Sequence, residues 1–135
     1  MTPNKKLTLG RKERLKSRKK IDLLFREGKV MNLYPLRVTY LKTEEQDLQI
    51  GVSAGKRYFK KAVHRNKIKR LLREAWRLQK IELLETTRDK QTGLAVFIVY
   101  IGKEIPSFSE ITFHVKQVID RLLNTIEKAA NKVSA

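Results

Sequence analysis

The feature that most restricts the fold is an uninterrupted apolar run from Leu94 to Ile101. A membrane-spanning helix needs about 20 apolar residues, so this run is too short to cross a bilayer and instead matches one β-strand. Because the run shows no polar alternation, both faces of the strand must be covered. We therefore expect it to lie centrally in a sheet, with helices packed on that sheet.

Periodicity elsewhere predicts the element order α-β-β-α-β-α, a small α+β fold. Ser17 is a suitable N-cap for the first helix, and Gly28 lies just past its end. The two strands that follow are predicted to pair antiparallel across the polar loop of residues 43–47. A second polar loop is predicted at residues 86–93. In chain order, the predicted elements are helix 18–26, strand 31–42, strand 48–53, helix 61–84, strand 94–101 and helix 107–130.

The chain of 135 residues has the length of one domain. We assign residues 1–128 to that domain and residues 129–135 to a C-terminal tail. Residues 1–15 are basic and lack a sustained period, which predicts a flexible arm. The chain has no cysteine, which excludes a disulfide scaffold and a Cys-based zinc module. Together with the absence of a long apolar segment, this predicts a soluble, cytoplasmic protein.

Positive charge is concentrated in two segments. The formal net charge is +17, of which residues 1–29 contribute +8 and residues 56–80 contribute +10, leaving −1 on all other residues. An evenly solvated surface does not segregate charge in this way. Two strongly basic segments predict a polyanionic partner, and nucleic acid is the first candidate.

Residues 61–80 carry most of this signal. On a helix that turns about 100° per residue, Ile68, Leu71 and Leu72 fall in one apolar arc. The opposite arc is cationic and holds no acidic residue, whereas a solvated helix face usually interleaves Glu with Lys at i+4. We therefore favour nucleic-acid contact over a merely solvated face. The cationic arc consists of Arg65, Asn66, Lys69, Arg70, Arg73, Arg77 and Lys80.

The approach to this helix contains two glycines and a lysine, Gly51, Gly55 and Lys56, as a phosphate-binding Walker loop does. A Walker loop needs four residues between its glycines and Ser or Thr after the lysine, and neither condition is met. Lysine and arginine in this stretch are better interpreted as additional phosphate contacts.

A combination of two segments suggests a family. The sequence AVHRNKIKRLLRE at residues 62–74 follows IGVSAGKR at residues 50–57. Together they resemble the RNR signature of the bacterial ribonuclease P protein component, and the resemblance covers nearly the whole chain. It implies a two-layer α/β sandwich of the ribosomal protein S5 domain 2-like type. In that fold the connection from strand through signature helix to strand is left-handed, against the usual rule.

The resemblance implies a protein cofactor of a ribozyme. The RNA subunit would remove the 5′ leader from precursor tRNA, using Mg²⁺ held mainly by that RNA. The protein would count as an enzyme only as a subunit of this endoribonuclease, so no catalytic or metal-binding residue is assigned to it. The implied partners are the ribonuclease P RNA subunit and the single-stranded leader of precursor tRNA, with no membrane and no small-molecule substrate.

Carried over residue by residue, the resemblance assigns two sites. Phe25 and Tyr40 would line a leader-binding cleft between the sheet and the N-terminal helix, where aromatic rings can stack on bases. Ile21 stands where another cleft aromatic is often found, and Lys67 stands where the signature usually has Arg. The residues assigned to RNA-subunit binding are Lys56, Arg57, Lys60, Lys61, Arg65, Asn66, Lys67, Lys69, Arg70, Arg73 and Arg77.

Three other functions are alternatives. A structural RNA-binding protein of the ribosomal type would share the charge distribution. A protein-only nuclease would need an acid–base pair such as His64 and His114, or a carboxylate metal site, but lone histidines and adjacent loop acids are usually incidental. A binder of double-stranded DNA is disfavoured because no helix-turn-helix pair is evident.

The aromatic residues also have ordinary structural interpretations. From the residues alone, a core role is favoured for Phe25 and Tyr40, because aromatic residues at helix and strand positions are usually buried; the resemblance instead favours partial exposure. Trp76 falls on the seam between the apolar and cationic arcs, which predicts packing at the edge of the core rather than base stacking.

Overall fold

The computed structural model describes residues 13–44 and 47–134, with side chains described up to residue 127. The described part of the chain contains four helices and a four-stranded sheet, which confirms the α+β class but adds one helix and one strand to the predicted three of each. None of these helices is long and apolar enough to span a membrane. The elements are α1 (Arg18–Glu27), β1 (Lys29–Leu33), β2 (Leu36–Thr43), β3 (Leu48–Ala54), α2 (Ala62–Gln79), α3 (Ile81–Asp89), β4 (Gly93–Tyr100) and α4 (Phe108–Ser134).

The sheet has the order β1-β2-β4-β3, so the apolar strand β4 lies between two neighbours as predicted. It pairs antiparallel with β2 and parallel with β3. The predicted antiparallel pairing of strands 31–42 and 48–53 is therefore wrong, because β4 separates them. A strand with apolar residues on both faces is most stable at an interior position, and this preference outweighs the short loop between β2 and β3.

The single strand predicted for residues 31–42 is in fact a hairpin. Tyr34 and Pro35 form a two-residue turn, and β1 pairs antiparallel with β2 from Lys29↔Tyr40 to Leu33↔Leu36. Proline has no N–H to donate to a ladder, so its presence inside a predicted strand was the sequence signal for this turn.

Helices cover both faces of the sheet. The main core lies between one face and helices α2, α3 and α4, where Ile68, Leu72 and Val115 are fully buried. On the opposite face, Leu24 of α1 packs with Leu15 and Ala95 in a second cluster. The two-layer arrangement implied by the resemblance therefore needs correction, since the apolar side of α1 adds a third layer.

Two helix boundaries also differ from the predictions. The predicted helix 61–84 is divided at Lys80, and α3 continues to Asp89 through the first half of the predicted loop 86–93. The last helix continues to Ser134, through residues interpreted as a tail. Ser17 caps α1 as expected, accepting a hydrogen bond from the Lys20 backbone N–H at 3.4 Å.

The last three residues of the predicted flexible arm, residues 13–15, pack on the domain. The rest of the predicted arm, residues 1–12, lies outside the described residues. Arg14 bridges Ile50 of β3, the Leu15 backbone N–H donates to the Ile50 carbonyl oxygen at 2.9 Å, and the Leu15 side chain is buried. Glu13 pairs with Lys80 across 2.6 Å. This segment therefore fixes the approach to α1 against the edge of the sheet.

Gly28 joins α1 to β1 at a point where the backbones are very close. A Cβ atom there would overlap the Leu24 carbonyl oxygen and lie 2.9 Å from the Tyr40 carbonyl oxygen. We expect Gly28→Ala to lower the free energy of unfolding by about 2 kcal/mol, because two backbone segments must move apart. Urea denaturation measures this. Gly55→Ala is the matched control, since a Cβ at Gly55 meets nothing within 4 Å; equal stabilities of the two variants would contradict the close-packing argument.

Candidate nucleic-acid interface

Helix α2 turns its apolar arc inward and its basic arc outward. Ile68, Leu72 and Ala75 are fully buried against the main core, and Trp76 is also buried, as a packing residue should be. We use the name basic surface for the residues assigned to RNA-subunit binding. Within it, Arg65, Lys69 and Arg77 are partly buried and the others are exposed: Lys56, Arg57, Lys60, Lys61, Asn66, Lys67, Arg70 and Arg73.

The N-terminal end of α2 adds to the positive potential. Lys61 is its N-cap and makes no side-chain capping hydrogen bond, and the first turn holds no acidic residue. Helix N-termini carry a partial positive charge from their free N–H groups, so cations are usually disfavoured there. Concentrating lysines at this end costs self-repulsion, which a bound phosphate would relieve.

Arg65 has a structural role that its sequence position did not reveal. Its Nη1 donates hydrogen bonds to the carbonyl oxygens of Phe59 and Lys60 at 2.7 and 2.8 Å. These bonds hold the loop between β3 and α2 against the first turn of the helix. Replacement of Arg65 would therefore disturb the loop as well as remove a charge.

Arg77 differs from the rest of the basic surface because it pairs with Glu74. Its Nε donates to Glu74 Oε2 at 3.1 Å, and its Nη2 donates to Glu74 Oε1. The hydrogen bond from Arg77 lowers the pKa of the Glu74 carboxyl group and raises the pKa of the guanidinium. The cationic arc is therefore neutralised in part at its C-terminal end.

Lys80 is not part of the outward surface, although its helical angle placed it in the cationic arc. Its side chain is 1% exposed and its Nζ lies 2.6 Å from Glu13 Oε2. The helix ends at Gln79, so the projection used for the arc does not extend to Lys80. This cation serves the packing of the N-terminal segment.

The sheet face that carries α1 is only partly covered. Alternation along the strands and the pairing register place Asn32, Arg37, Val99 and Ser53 in one row across this face. Asn32 and Arg37 are exposed, and Val99 and Ser53 are partly exposed. We call these four residues the open row. Sequence analysis did not assign any of them to a site, because the strand pairing that aligns them was predicted incorrectly.

Phe25 lies beside this row. Its side chain is 51% exposed, and its ring meets the ring of Phe97 edge-on, with centroids 5.1 Å apart and an interplanar angle of 63°. Phe97 covers Gly51, where a Cβ would lie 2.6 Å from the ring, so glycine is needed for this ring position. Ile21, at the other expected cleft position, packs with Leu24 in the second cluster.

The structure does not bring Tyr40 and Phe25 together. Tyr40 pairs with Val96 in the register and packs against the main core, while its neighbour Leu41 packs in the second cluster with Ala95. Because successive strand residues point to opposite faces, Tyr40 faces away from α1. Thr39 is the residue at this level that points to the α1 side, and a Cβ built at Gly28 would lie 3.0 Å from its Cγ2.

The acidic and histidine side chains are dispersed. Among the residues that the structure describes, no group of three or more His, Asp or Glu side chains could hold a metal ion. His64 lies on α2 and His114 on α4, so the two histidines belong to different helices.

Together, these features define a small basic α+β protein with a cationic helix and a separate half-exposed aromatic ring on the opposite face of the sheet, the layout of a protein that binds a long polyanion. The chain belongs to the ribonuclease P protein component family, whose model matches residues 9–123.

Individual relatives support this assignment. The ribonuclease P protein component of Porphyromonas gingivalis is 33% identical over 98% of both chains. That of Dictyoglomus turgidum is 34% identical over 88% of this chain and 90% of its own. Among solved structures, the Staphylococcus aureus RNase P protein superposes with a TM-score of 0.65 at 19% identity, covering 80% of this chain and 93% of its own. That likeness shows that the fold is shared.

Proposed function

We propose that this protein is the RNA-binding subunit of a ribonuclease P holoenzyme and assists a catalytic RNA in removing the 5′ leader from precursor tRNA. The observation that carries this proposal is the one-sided basic surface of α2 in a chain that belongs to the family. The RNA subunit and precursor tRNA are the proposed partners, and the cytoplasm is the proposed location.

The basic surface would bind the RNA subunit. Exposed arginines such as Arg70 and Arg73 can bond phosphate oxygens bidentately, and Asn66 offers both a donor and an acceptor to a sugar or base edge. Neutralising phosphates releases counterions, which is a sequence-independent source of affinity. The protein would thereby lower the repulsion between two RNA molecules that must come together.

The cleft beside α1 would bind the single-stranded leader. We assign the half-exposed ring of Phe25, supported by Phe97, to base stacking, and Arg37 of the open row to a phosphate. Stacking on rings accepts any base, so this cleft would tolerate leaders of different sequence. Tyr40 is left out of the cleft because its side chain packs on the other face of the sheet.

Two finer features are also proposals. Mg²⁺ would be held mainly by phosphates of the RNA subunit, in keeping with the preference of this ion for phosphate oxygens and retained water. The connection from β3 through α2 and α3 to the parallel strand β4 would have the left-handed sense implied by the family.

Multiple-turnover cleavage of a precursor tRNA at low Mg²⁺ concentration tests the proposal. The precursor is incubated with a bacterial ribonuclease P RNA alone, with this protein alone, and with the RNA and the protein together. We expect cleavage at the mature 5′ end only when both are present. Cleavage by the protein alone would indicate a protein nuclease, and RNA binding without stimulation would indicate a structural RNA-binding protein.

Replacement of Phe25 tests the cleft separately. We expect Phe25→Ala to weaken holoenzyme binding of leader-bearing precursor tRNA by about tenfold, as loss of one stacked base should, and to leave mature tRNA binding unchanged. Equilibrium binding with both RNAs measures this. Phe113→Ala is the control, because Phe113 is a 61% exposed aromatic on α4, away from the cleft. A similar loss with mature tRNA would contradict the assignment.

A further inference from the structure

An exposed aromatic ring other than that of Phe25 lies between the basic surface and the open row. Tyr58, in the loop from β3 to α2, is 43% exposed. Two cations from different loops flank its ring: the guanidinium carbon of Arg57 lies 5.5 Å from the ring centroid and Lys103 Nζ lies 5.8 Å from it. Neither Tyr58 nor Lys103 was assigned a role from the sequence.

The loop that carries Tyr58 is anchored to the core and to helix α2. Phe59, the next residue, is buried, and its ring centroid lies 6.0 Å from that of Tyr100. The Arg65 guanidinium binds the carbonyl oxygens of Phe59 and Lys60. An exposed ring that directly precedes a buried anchor and a hydrogen-bonded backbone loses little entropy when it binds a ligand.

The loop that carries Lys103 is held by the same buried aromatic pair. The Tyr100 hydroxyl donates to the Glu104 carbonyl oxygen at 2.7 Å, and burial raises the pKa of this phenol, so it remains a donor at neutral pH. A Cβ at Gly102 would overlap the Tyr100 hydroxyl, so the loop must pass close to it. Both loops are therefore positioned relative to each other through Phe59 and Tyr100.

A crevice of about 260 Å³ opens between the two loops. Its walls include Tyr58, Arg57, Val99 and Ile101. Val99 also belongs to the open row, and Arg57 also belongs to the basic surface, so the crevice is continuous with both. A flat aromatic wall, aliphatic walls and the Arg57 guanidinium, with Lys103 Nζ 5.8 Å from the centroid of the same aromatic ring, suit a nucleobase with an adjacent phosphate.

We propose that Tyr58, Arg57 and Lys103 form a binding subsite for one unpaired ribonucleotide, with its base stacked on Tyr58 and its phosphate held by the two cations. This proposal rests on the proposed function and extends it, because it adds a nucleotide position between the cleft and the RNA-binding helix. The nucleotide could come from the leader or from the RNA subunit, and the chemistry is the same in both cases.

The first test uses the full-length protein alone with a single-stranded hexaribonucleotide that contains 2-aminopurine, whose fluorescence is quenched on stacking. We expect the wild-type protein and Tyr58→Phe to quench it with similar affinity, and Tyr58→Ala to bind about tenfold more weakly. Because Tyr58 is exposed, its replacement should leave folding intact, which circular dichroism verifies. Equal quenching by wild type and Tyr58→Ala would overturn the subsite, whether or not the protein stimulates cleavage.

The second test identifies the source of the nucleotide in the holoenzyme. Weaker binding of leader-bearing precursor tRNA by Tyr58→Ala, with unchanged affinity for the RNA subunit, would support the subsite and assign it to the leader. The reverse pattern would support it and assign it to the RNA subunit. If the wild-type holoenzyme cleaves and Tyr58→Ala changes neither affinity, the subsite is wrong and the proposed function stands. If the wild-type protein gives no stimulation, the proposed function fails and the oligonucleotide result alone decides the subsite.

Discussion

Replacement of both Arg70 and Arg73 by Ala should weaken binding of the ribonuclease P RNA subunit by at least about 100-fold near physiological salt. Both side chains are exposed on α2, and a hydrogen bond to a charged group contributes roughly 1.5–3 kcal/mol. The dependence of log K on log salt concentration should also become shallower, by about 0.7–0.9 for each lost phosphate contact. Filter binding or fluorescence anisotropy over a range of salt concentrations measures both quantities.

The matched control for this double variant removes two cations from another helix. Lys116 and Arg121 are exposed on α4, and Lys116→Ala with Arg121→Ala changes the net charge equally. We expect this control to lose less than about threefold, because long-range charge effects are largely screened beyond about 10 Å at 0.1 M salt. Equal losses in the two double variants would mean that net charge, and not the basic surface, determines binding.

Arg70 and Arg73 are better test positions than Arg65, although the sequence pattern gave all three the same standing. Helical periodicity predicts which side of α2 faces outward, because it depends only on local geometry. It cannot show that Arg65 folds back onto the carbonyl oxygens of Phe59 and Lys60. Glu74 and Arg77 are only three residues apart, so their ion pair could have been anticipated from i, i+3 spacing on a helix.

The sheet shows where sequence reasoning fails. The apolar run predicted the central strand correctly, because burial on both faces is recorded in composition. The neighbours of that strand are set by long-range pairing, which no local pattern records. Tyr40 was assigned to the cleft through the family resemblance, which does not state the face of the sheet on which a side chain lies. Arg37 and Phe97 were missed because no local pattern shows that strands β2 and β4 place them on the same face as α1.

The buried ion pair between Glu13 and Lys80 should have the largest effect on stability. Lys80 is 1% exposed and cannot reach water, whereas the Glu13 side chain is 23% exposed. Removing a carboxylate partner from a buried charge costs up to about 3–5 kcal/mol, and partial exposure of Glu13 reduces this. We expect Glu13→Gln to lower the free energy of unfolding by about 2–3 kcal/mol, which urea denaturation measures.

Replacement of Lys80 should lower the free energy of unfolding less than replacement of Glu13 does. This difference between the two partners is the sharper test. In Lys80→Met the remaining Glu13 carboxylate can turn towards solvent, so we expect the free energy of unfolding to fall by only about 1 kcal/mol. The Glu13→Gln/Lys80→Met double variant should recover much of the stability that Glu13→Gln loses. Lys90→Met is the control, because Lys90 is exposed at the end of α3 and should change stability by less than about 0.5 kcal/mol. If Lys80→Met proved as destabilising as Glu13→Gln, the cost would lie in lost packing and not in a buried charge that has lost a carboxylate partner. Lys80 is the one strongly buried cation of the described basic segment 56–80. A larger stability loss in Glu13→Gln than in Lys80→Met would therefore show that the ion pair holds this lysine in place.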